Sequence, residues 1–516
     1  MKIRLITFYV FLIVCVFSSS VYATNGMNMI GWGARMSSMG GASLGMFGDT
    51  NLMNSNPAGI TTISGQRIDA GLGLLIPSVS YKNALNDIDA DTKVFPLPSI
   101  GYVKTPEDSP FSYGIGLYAQ GGMGATYCDV HHNIFRSYDM NPLTQDAYVG
   151  QEYHSNIGYL KLSPTIAYQI MPQLSAGLAL NVGYAMMEMK MPYSLPTSAM
   201  KGSVPGGGGM TFGDMFGVPM SQGGLGYEEV TAYVDMGEAV TAFGYGAKLG
   251  LQYRTTDKLI FGLSYTMKSS LDFSGDVSMD MTSQFGDAYE RMVMGALQQA
   301  AQDPNNPSSQ ELQNAQQGVN QQLTGMGIDM QKGMQADYDV DIEFSWPQEA
   351  GFGTSYKPTD RLTIGADIRW INWKDSMKKF SLKLSGGAND NINAMMGTPD
   401  GKMTIEMPLN WDDQIVLALG AEYMATPLLA VRAGYNYGSN PVPAETVIPI
   451  FPAIVENHLT LGLGYNITEN VTVDGAYELA LSKELEPKDS IIANEYDGHI
   501  SKLGENILHI TASYEF

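Results

Sequence analysis

Asn506-Ile-Leu-His-Ile-Thr-Ala-Ser-Tyr-Glu-Phe516 closes the chain, and its reading decides the fold. Leu508, Ile510, Ala512, Tyr514 and Phe516 fall on one face of an extended strand, and His509, Thr511, Ser513 and Glu515 on the other. Successive strand side chains point to opposite faces, so one face meets an apolar medium and the other a wet one. At the far end, residues 1–23 read as a secretion signal. Lys2 and Arg4 give the positive start, Leu5 to Phe17 the apolar run, and Val21-Tyr22-Ala23 the small-residue cleavage pattern. That run is too short for a membrane anchor, and bulky Val14 before Cys15 argues against a lipoprotein site. A one-sided strand ending on an aromatic residue, behind a secretion signal, reads as the last strand of a barrel in a bacterial outer membrane.

Composition bounds the alternatives. Cleavage after Ala23 removes two cations and takes the net charge from −23 to −25. Nucleic acid needs a cationic surface, so it is excluded as a partner. With Cys15 removed, Cys128 is the one remaining cysteine and no internal disulfide forms. No later stretch reaches 18 uncharged apolar residues; the nearest, Ile415 to Val431, holds Glu422 and Pro427.

Period-2 segments recur through the second half. Leu362, Ile364, Ala366, Ile368 and Trp370 alternate with Thr363, Gly365, Asp367 and Arg369. The same pattern runs from Ile415 to Tyr423, Leu459 to Ile467 and Val471 to Leu479, each close to the ~9–11 residues of a tilted membrane strand. Charges such as Asp367, Arg369, Asp474 and Glu478 on the second face suit a wet lumen better than the dry core of a secreted sandwich. Tyr and Trp at the ends of the apolar faces suit interfacial girdles. Tight turns at 171–173, 255–257, 357–360, 425–427 and 468–470 alternate with long insertions at about 190–241, 276–336, 375–407 and 438–455. Short periplasmic turns and long external loops mark such barrels, and counting between them gives about fourteen strands.

The insertions are unusual. Met200 to Met236 is rich in Met and Gly. Phe285, Tyr289, Met292 and Val293 are spaced for a helix face, and Ser308-Ser309-Gln310-Glu311 fits a capping box before a second helix. Methionine suits adaptable apolar surfaces, so these loops either form a groove for greasy ligands or pack against one another.

Thr24 to Ser64 is Gly-rich, lacks strand alternation and contains Asn56-Pro57-Ala58-Gly59. Its composition suits a compact plug, which places the domain boundaries at 1–23, 24–65 and 66–516. Three regions resemble the FadL/TodX family of outer-membrane transporters for fatty acids and other hydrophobic molecules. They are Gly33-Ala34-Arg35 through Gly40-Gly41-Ala42 to Asn56-Pro57-Ala58; Trp346-Pro347-Gln348-Glu349 with Trp370-Ile371-Asn372-Trp373; and Asn440-Pro441-Val442-Pro443-Ala444. The resemblance covers nearly the whole mature chain. It implies an all-β, transmembrane antiparallel barrel of fourteen strands with an amino-terminal hatch in the lumen, working as a monomer. Ligand would be caught by the external loops, passed inward as the hatch moves, and released sideways at a kinked third strand. Sideways exit makes physical sense, because an apolar solute leaving into lipid avoids re-solvation.

The resemblance makes Asn56, Pro57 and Ala58 the hatch motif. Gly121, Gly122 and Gly124 break the strand that begins at Tyr113 and fall where the family's kink lies. Glycine within a strand marks bulges and bends, although an ordinary strand end reads the same way. Fatty-acid members hold the carboxylate with basic residues. Here the matching stretches offer Met186, Met191 and Met407, with only Lys190, Lys402 and His458 as polar candidates. The expected ligands are long-chain fatty acids, with neutral or aromatic hydrocarbons fitting an uncharged pocket as well.

Two other classes are weaker. The six histidines bring no nucleophile motif, and His131-His132 point to opposite faces of a strand without other ligands at metal spacing. No catalysis, metal or cofactor is expected. A general diffusion porin would want an open, charged lumen without the 24–64 segment, and long loops also serve adhesins.

Overall fold

The computed structural model describes residues 25–516, so the expected leader and its Cys15 lie outside the described residues. One antiparallel sheet of twenty hydrogen-bonded segments holds the wall and the short ladders joined to it. It closes because Gly65–Lys82 pairs on one side with Phe95–Thr105 and on the other with Ile500–Glu515, in a register running from Arg67↔Glu515 to Lys82↔Ile500. Closure joins the first strand to the last, the one all-strand way to satisfy backbone groups in lipid. No helix among the described residues is long and apolar enough to cross a membrane.

The expected strand number needs correction. Setting aside the short ladders Asp87–Asp89, Glu229–Asp235, Lys379–Ser385 and Met403–Pro408, sixteen segments make the wall, where about fourteen were expected. The difference lies in two long strands that are broken. Leu259–Thr266 and Ser269–Asp280 are separated at Met267-Lys268, and Gln335–Trp346 and Glu349–Thr359 at Pro347-Gln348. Proline has no N–H to give a ladder, so a break there costs the sheet least.

The alternation places every chosen residue on its expected face. Leu508, Ile510 and Tyr514 are exposed, as are Leu459, Leu461 and Leu463, whereas His509, Thr511, Thr460, Asp367, Arg369, Asp474 and Glu478 are buried. The outer faces therefore form a continuous apolar band for lipid, and the charged faces point inward.

Inside the ring lies the segment 25–64, folded as two short helices, Gly33–Ser38 and Leu52–Ser55, and the 3₁₀ turn Pro57–Thr62. The first helix contacts the last wall strands, and the 3₁₀ turn contacts Gln151–Met171, Leu174–Pro196 and Val240–Thr256. Touching both sides of a closed ring puts the segment in the lumen. Arg35 donates to both Glu422 oxygens at 2.9 and 3.0 Å, and Glu422 and Asp474 also hold Arg432. Arg369 donates to Gly41 O at 2.6 Å, while Asp367 accepts from the Ser43 and Leu44 amides. Glu422, Asp367 and Arg369 are thus paired with the segment, the condition for burying them without a large penalty.

At the long-loop end the expected helices are Thr282–Ala300 and Ser309–Gly325, the second with Ser308 and Glu311 capping each other's amides. Two boundaries shift. The strand expected to end near 190 runs to Pro196, and the 375–407 insertion carries the Lys379–Ser385 and Met403–Pro408 ladder. The connection 131–150 is longer than the 438–455 insertion, yet His131 to Gly150 has no apolar period to mark it in the sequence.

Candidate functional site

The ladder above the barrel encloses two adjoining apolar cavities that share Phe380 and Met407. One is lined by Met189, Met191, Val234 and Ile405 as well, the other by Ile157, Phe344, Met377 and Trp411. Their free volumes are only about 10 and 20 Å³, so the side chains fill the space in this conformation. Neither lining contains a charged side chain or a histidine. The two hydroxyls present are engaged: Tyr193 donates to Glu406 O at 2.7 Å and Thr446 to Leu409 O at 2.6 Å. Edge-to-face rings link Trp411 to Trp373 and Trp373 to Trp346, leading inward from the cavity.

Among the residues picked for the ligand, Met191 and Met407 meet in one cavity. Met186 does not join them. Along Leu174–Pro196 the inward side chains are Met187, Met189 and Met191, so Met186 sits on the opposite face. Lys190 shares that opposite face and is paired with Asp235 at 3.3 Å. Lys402 is exposed on its loop, and His458 is fully buried with both ring nitrogens unpartnered, away from the cavity lining. The three polar candidates therefore do not converge.

The glycine cluster occupies a gap in the wall. Phe95–Thr105 pairs with Phe111–Val130 only up to Ser99↔Tyr118. Beyond that point the second strand bulges against its other neighbour, with register shifts at Ala119/Gly121 and Tyr127/Val130. The edge left open is met by the amino-terminal segment: Met29 N donates to Gln120 O at 3.3 Å, and Gly122 N to Met27 O at 3.1 Å. A Cβ on Gly121 would stand 1.9 Å from Met27 O and one on Gly124 would stand 2.3 Å from Ser155 O, so neither approach tolerates a side chain. Trp32 donates to Ala119 O at 3.1 Å, and Trp346 to Asn28 Oδ1 at 2.7 Å. A narrow cleft here is lined by inward Trp32 and Ala119 and also by outward Leu72 and Ile510, so it reaches from the lumen towards the lipid face.

Asn56 anchors the segment on the other side. Its Nδ2 donates to Leu44 O at 2.8 Å and to wall residue Leu251 O at 3.0 Å, and its Oδ1 accepts from Ala58 N at 3.2 Å. Pro57 starts the 3₁₀ turn, where a missing N–H is harmless. A Cβ on wall residue Gly250 would lie 2.1 Å from Asn56 Oδ1, so a bare backbone there lets the turn dock.

Two features escaped the sequence reading. Lys161 is buried on the inward face of Gln151–Met171, two alternations below Ile157, and among the described residues it makes no ion pair. Outside the wall, His132 Nε2 lies 2.9 Å from Glu495, joining two loops. Burial lowers the His132 pKa, but the Glu495 carboxylate outweighs it and the imidazole titrates above its ordinary 6.5.

The comparisons agree with this geometry. In sequence the chain is 28% identical to alkane uptake protein A of Marinobacter nauticus over 162 residues, which is 30% of this chain and 32% of that protein. It is 21% identical to outer membrane protein P1 of Haemophilus influenzae over 80% of this chain and 74% of the other. In structure it resembles the crystal structure of the Pseudomonas putida toluene transporter TodX, with a TM-score of 0.65 at 18% identity, over 94% of this chain and 99% of that one. The model of the family described as outer membrane protein transport protein (OMPP1/FadL/TodX) matches residues 12–516. The chain is therefore a member of the OMPP1/FadL/TodX family of outer-membrane transport proteins.

Proposed function

We propose that the protein is a monomeric, non-enzymatic channel that takes up neutral hydrophobic molecules, with 24–65 acting as a movable hatch. The observation that carries this is the uncharged, methionine-lined cavity next to the wall gap. Each buried methylene of a ligand gains ~0.8 kcal/mol. An unpaired carboxylate in the same site costs several kcal/mol, which cancels about five methylenes. A hydrocarbon keeps the whole gain. The flexible thioethers of Met189, Met191 and Met407 yield to a ligand without breaking polar contacts. From the cavity the ligand passes Trp346, and displacement of Met27–Met29 from the Gly121-Gly122 edge lets it leave into lipid. The relatives whose names point to alkanes and toluene fit this ligand class. A lumen filled by 25–64 argues against a general diffusion porin.

Lys161 supports a second reading. It lies four residues along the strand from Ile157, about 13 Å at ~3.3 Å per residue. A fatty acid with its tail in the cavity and its carboxylate at Lys161 would span that distance. Tryptophan quenching separates the two. Trp411 lines the cavity, so a bromoalkane should quench saturably, and a brominated fatty acid should do so at least tenfold more weakly. Equal or tighter quenching by the fatty acid would favour the Lys161 reading, and no quenching by either would remove the cavity from the path.

A further inference from the structure

The loops outside the barrel carry a cluster of acids that the transport path does not use. Asp139 and Asp146 lie on the 131–150 connection, and Glu290 on the helix Thr282–Ala300. One carboxylate oxygen from each lies within 4.8 Å of the others, the spacing of two ligands on an ion at ~2.4 Å. Glu290 is 8% exposed, and its Oε1 is buried with no hydrogen-bond partner. None of the three joins an ion pair among the described residues. A buried carboxylate with an unpartnered oxygen, set beside two further carboxylates, calls for a cation among them.

The surroundings direct the cation inward. Asp139 Oδ1 already accepts from Asn141 N and Thr144 Oγ1 at 2.9 and 2.7 Å, which fixes the loop carboxylate in place. Asp287, one turn earlier on the helix, is engaged by Arg291 and Tyr227 and is not available as a ligand. All donors are hard oxygens, with no His or Cys in the group, which selects Ca²⁺ over zinc or copper.

We propose that Asp139, Asp146 and Glu290 bind one Ca²⁺, and that the ion staples the 131–150 connection to the Thr282–Ala300 helix. Water fills the remaining coordination positions. A hydrogen bond from Gln316 Nε2 to Met140 O, at 2.8 Å, and the packing of Tyr138 against Gly286 also hold this loop to the helices. The neighbours Met140 and Tyr289 line an external groove of about 690 Å³, so the staple fixes the edge of that groove.

The test uses the intact, detergent-solubilised protein after chelator treatment, with Ca²⁺ as the only titrant. Calorimetry should give one saturable site, with a Kd no weaker than the ~10⁻⁴–10⁻³ M of extracellular modules. Glu290→Gln should weaken it by tenfold or more. So should Asp139→Asn, an exposed change that leaves the core untouched and serves if the first variant fails to fold. Deuterium exchange across 137–147 should slow when Ca²⁺ is added to the native protein and stay unchanged in the variants. Native protein with no saturable site, or variants that bind Ca²⁺ as the native protein does, would overturn the proposal. Uptake is not the readout, so this outcome is independent of the transport reading.

Discussion

Replacing Asn56 with Ala tests whether 24–65 is a hatch. The side chain is fully buried and makes three hydrogen bonds, one to wall residue Leu251 and two within the segment itself, to Leu44 and from Ala58. Only the bond to Leu251 is lost when the segment leaves the wall, so Asn56→Ala removes about 1 kcal/mol of the docked state. With ~1.4 kcal/mol per decade, the displaced state gains about fivefold in population. Planar-bilayer recording reads it directly. Deleting 27–48 sets the conductance of an unplugged barrel, and Asn56→Ala should visit that level about five times more often than the native protein. The remaining contacts, including Arg35 with Glu422, should return it to the closed level between openings. A well-folded Asn56→Ala barrel with native conductance would refute the reasoning, and so would a deletion that leaves the current unchanged.

Other outcomes follow from the same geometry. Gly121→Leu places a side chain where even a Cβ lies 1.9 Å from Met27 O, so uptake should fall by tenfold or more while the heat-modifiable migration of a folded barrel is kept; normal uptake would sink the lateral path. Lys161→Met should leave bromoalkane quenching of Trp411 within twofold, and a large loss would show that hydrocarbon binding needs the cation. Because the His132 pKa is raised above 6.5 in the folded state, its contact with Glu495 stabilises the loops fully below that value and weakens as pH rises through the folded pKa. Intrinsic deuterium-exchange rates corrected for pH should therefore show 486–499 opening more at pH 9 than at pH 6, and His132→Phe should flatten the difference.

The barrel was legible because its signal is local. Alternation along Asn506–Phe516, Leu362–Trp370 and Leu459–Ile467 fixes which side chains face lipid, whatever the strand's neighbours are. The capping box at Ser308–Glu311 was legible for the same reason, since its partners are three residues apart. The breaks at Met267-Lys268 and Pro347-Gln348 were less so, because the apolar pattern continues across them.

The candidate path depended on contacts between distant residues. Composition marked the methionines, but only strand phase separated Met186 from Met189 and Met191, and only tertiary folding brought Met191 to Met407. Lys190 looked free until folding set Asp235 beside it, while Lys161 drew no notice because its isolation is a property of the wall around it. By itself the sequence determined the period, the faces and the order of strands and loops, since each rests on neighbours within a few residues. The tertiary structure decided which glycines open the wall, which carbonyls Asn56 ties, and which carboxylates of separate loops face one another. Those pairings join residues up to hundreds of positions apart, and they exist only once the chain has folded.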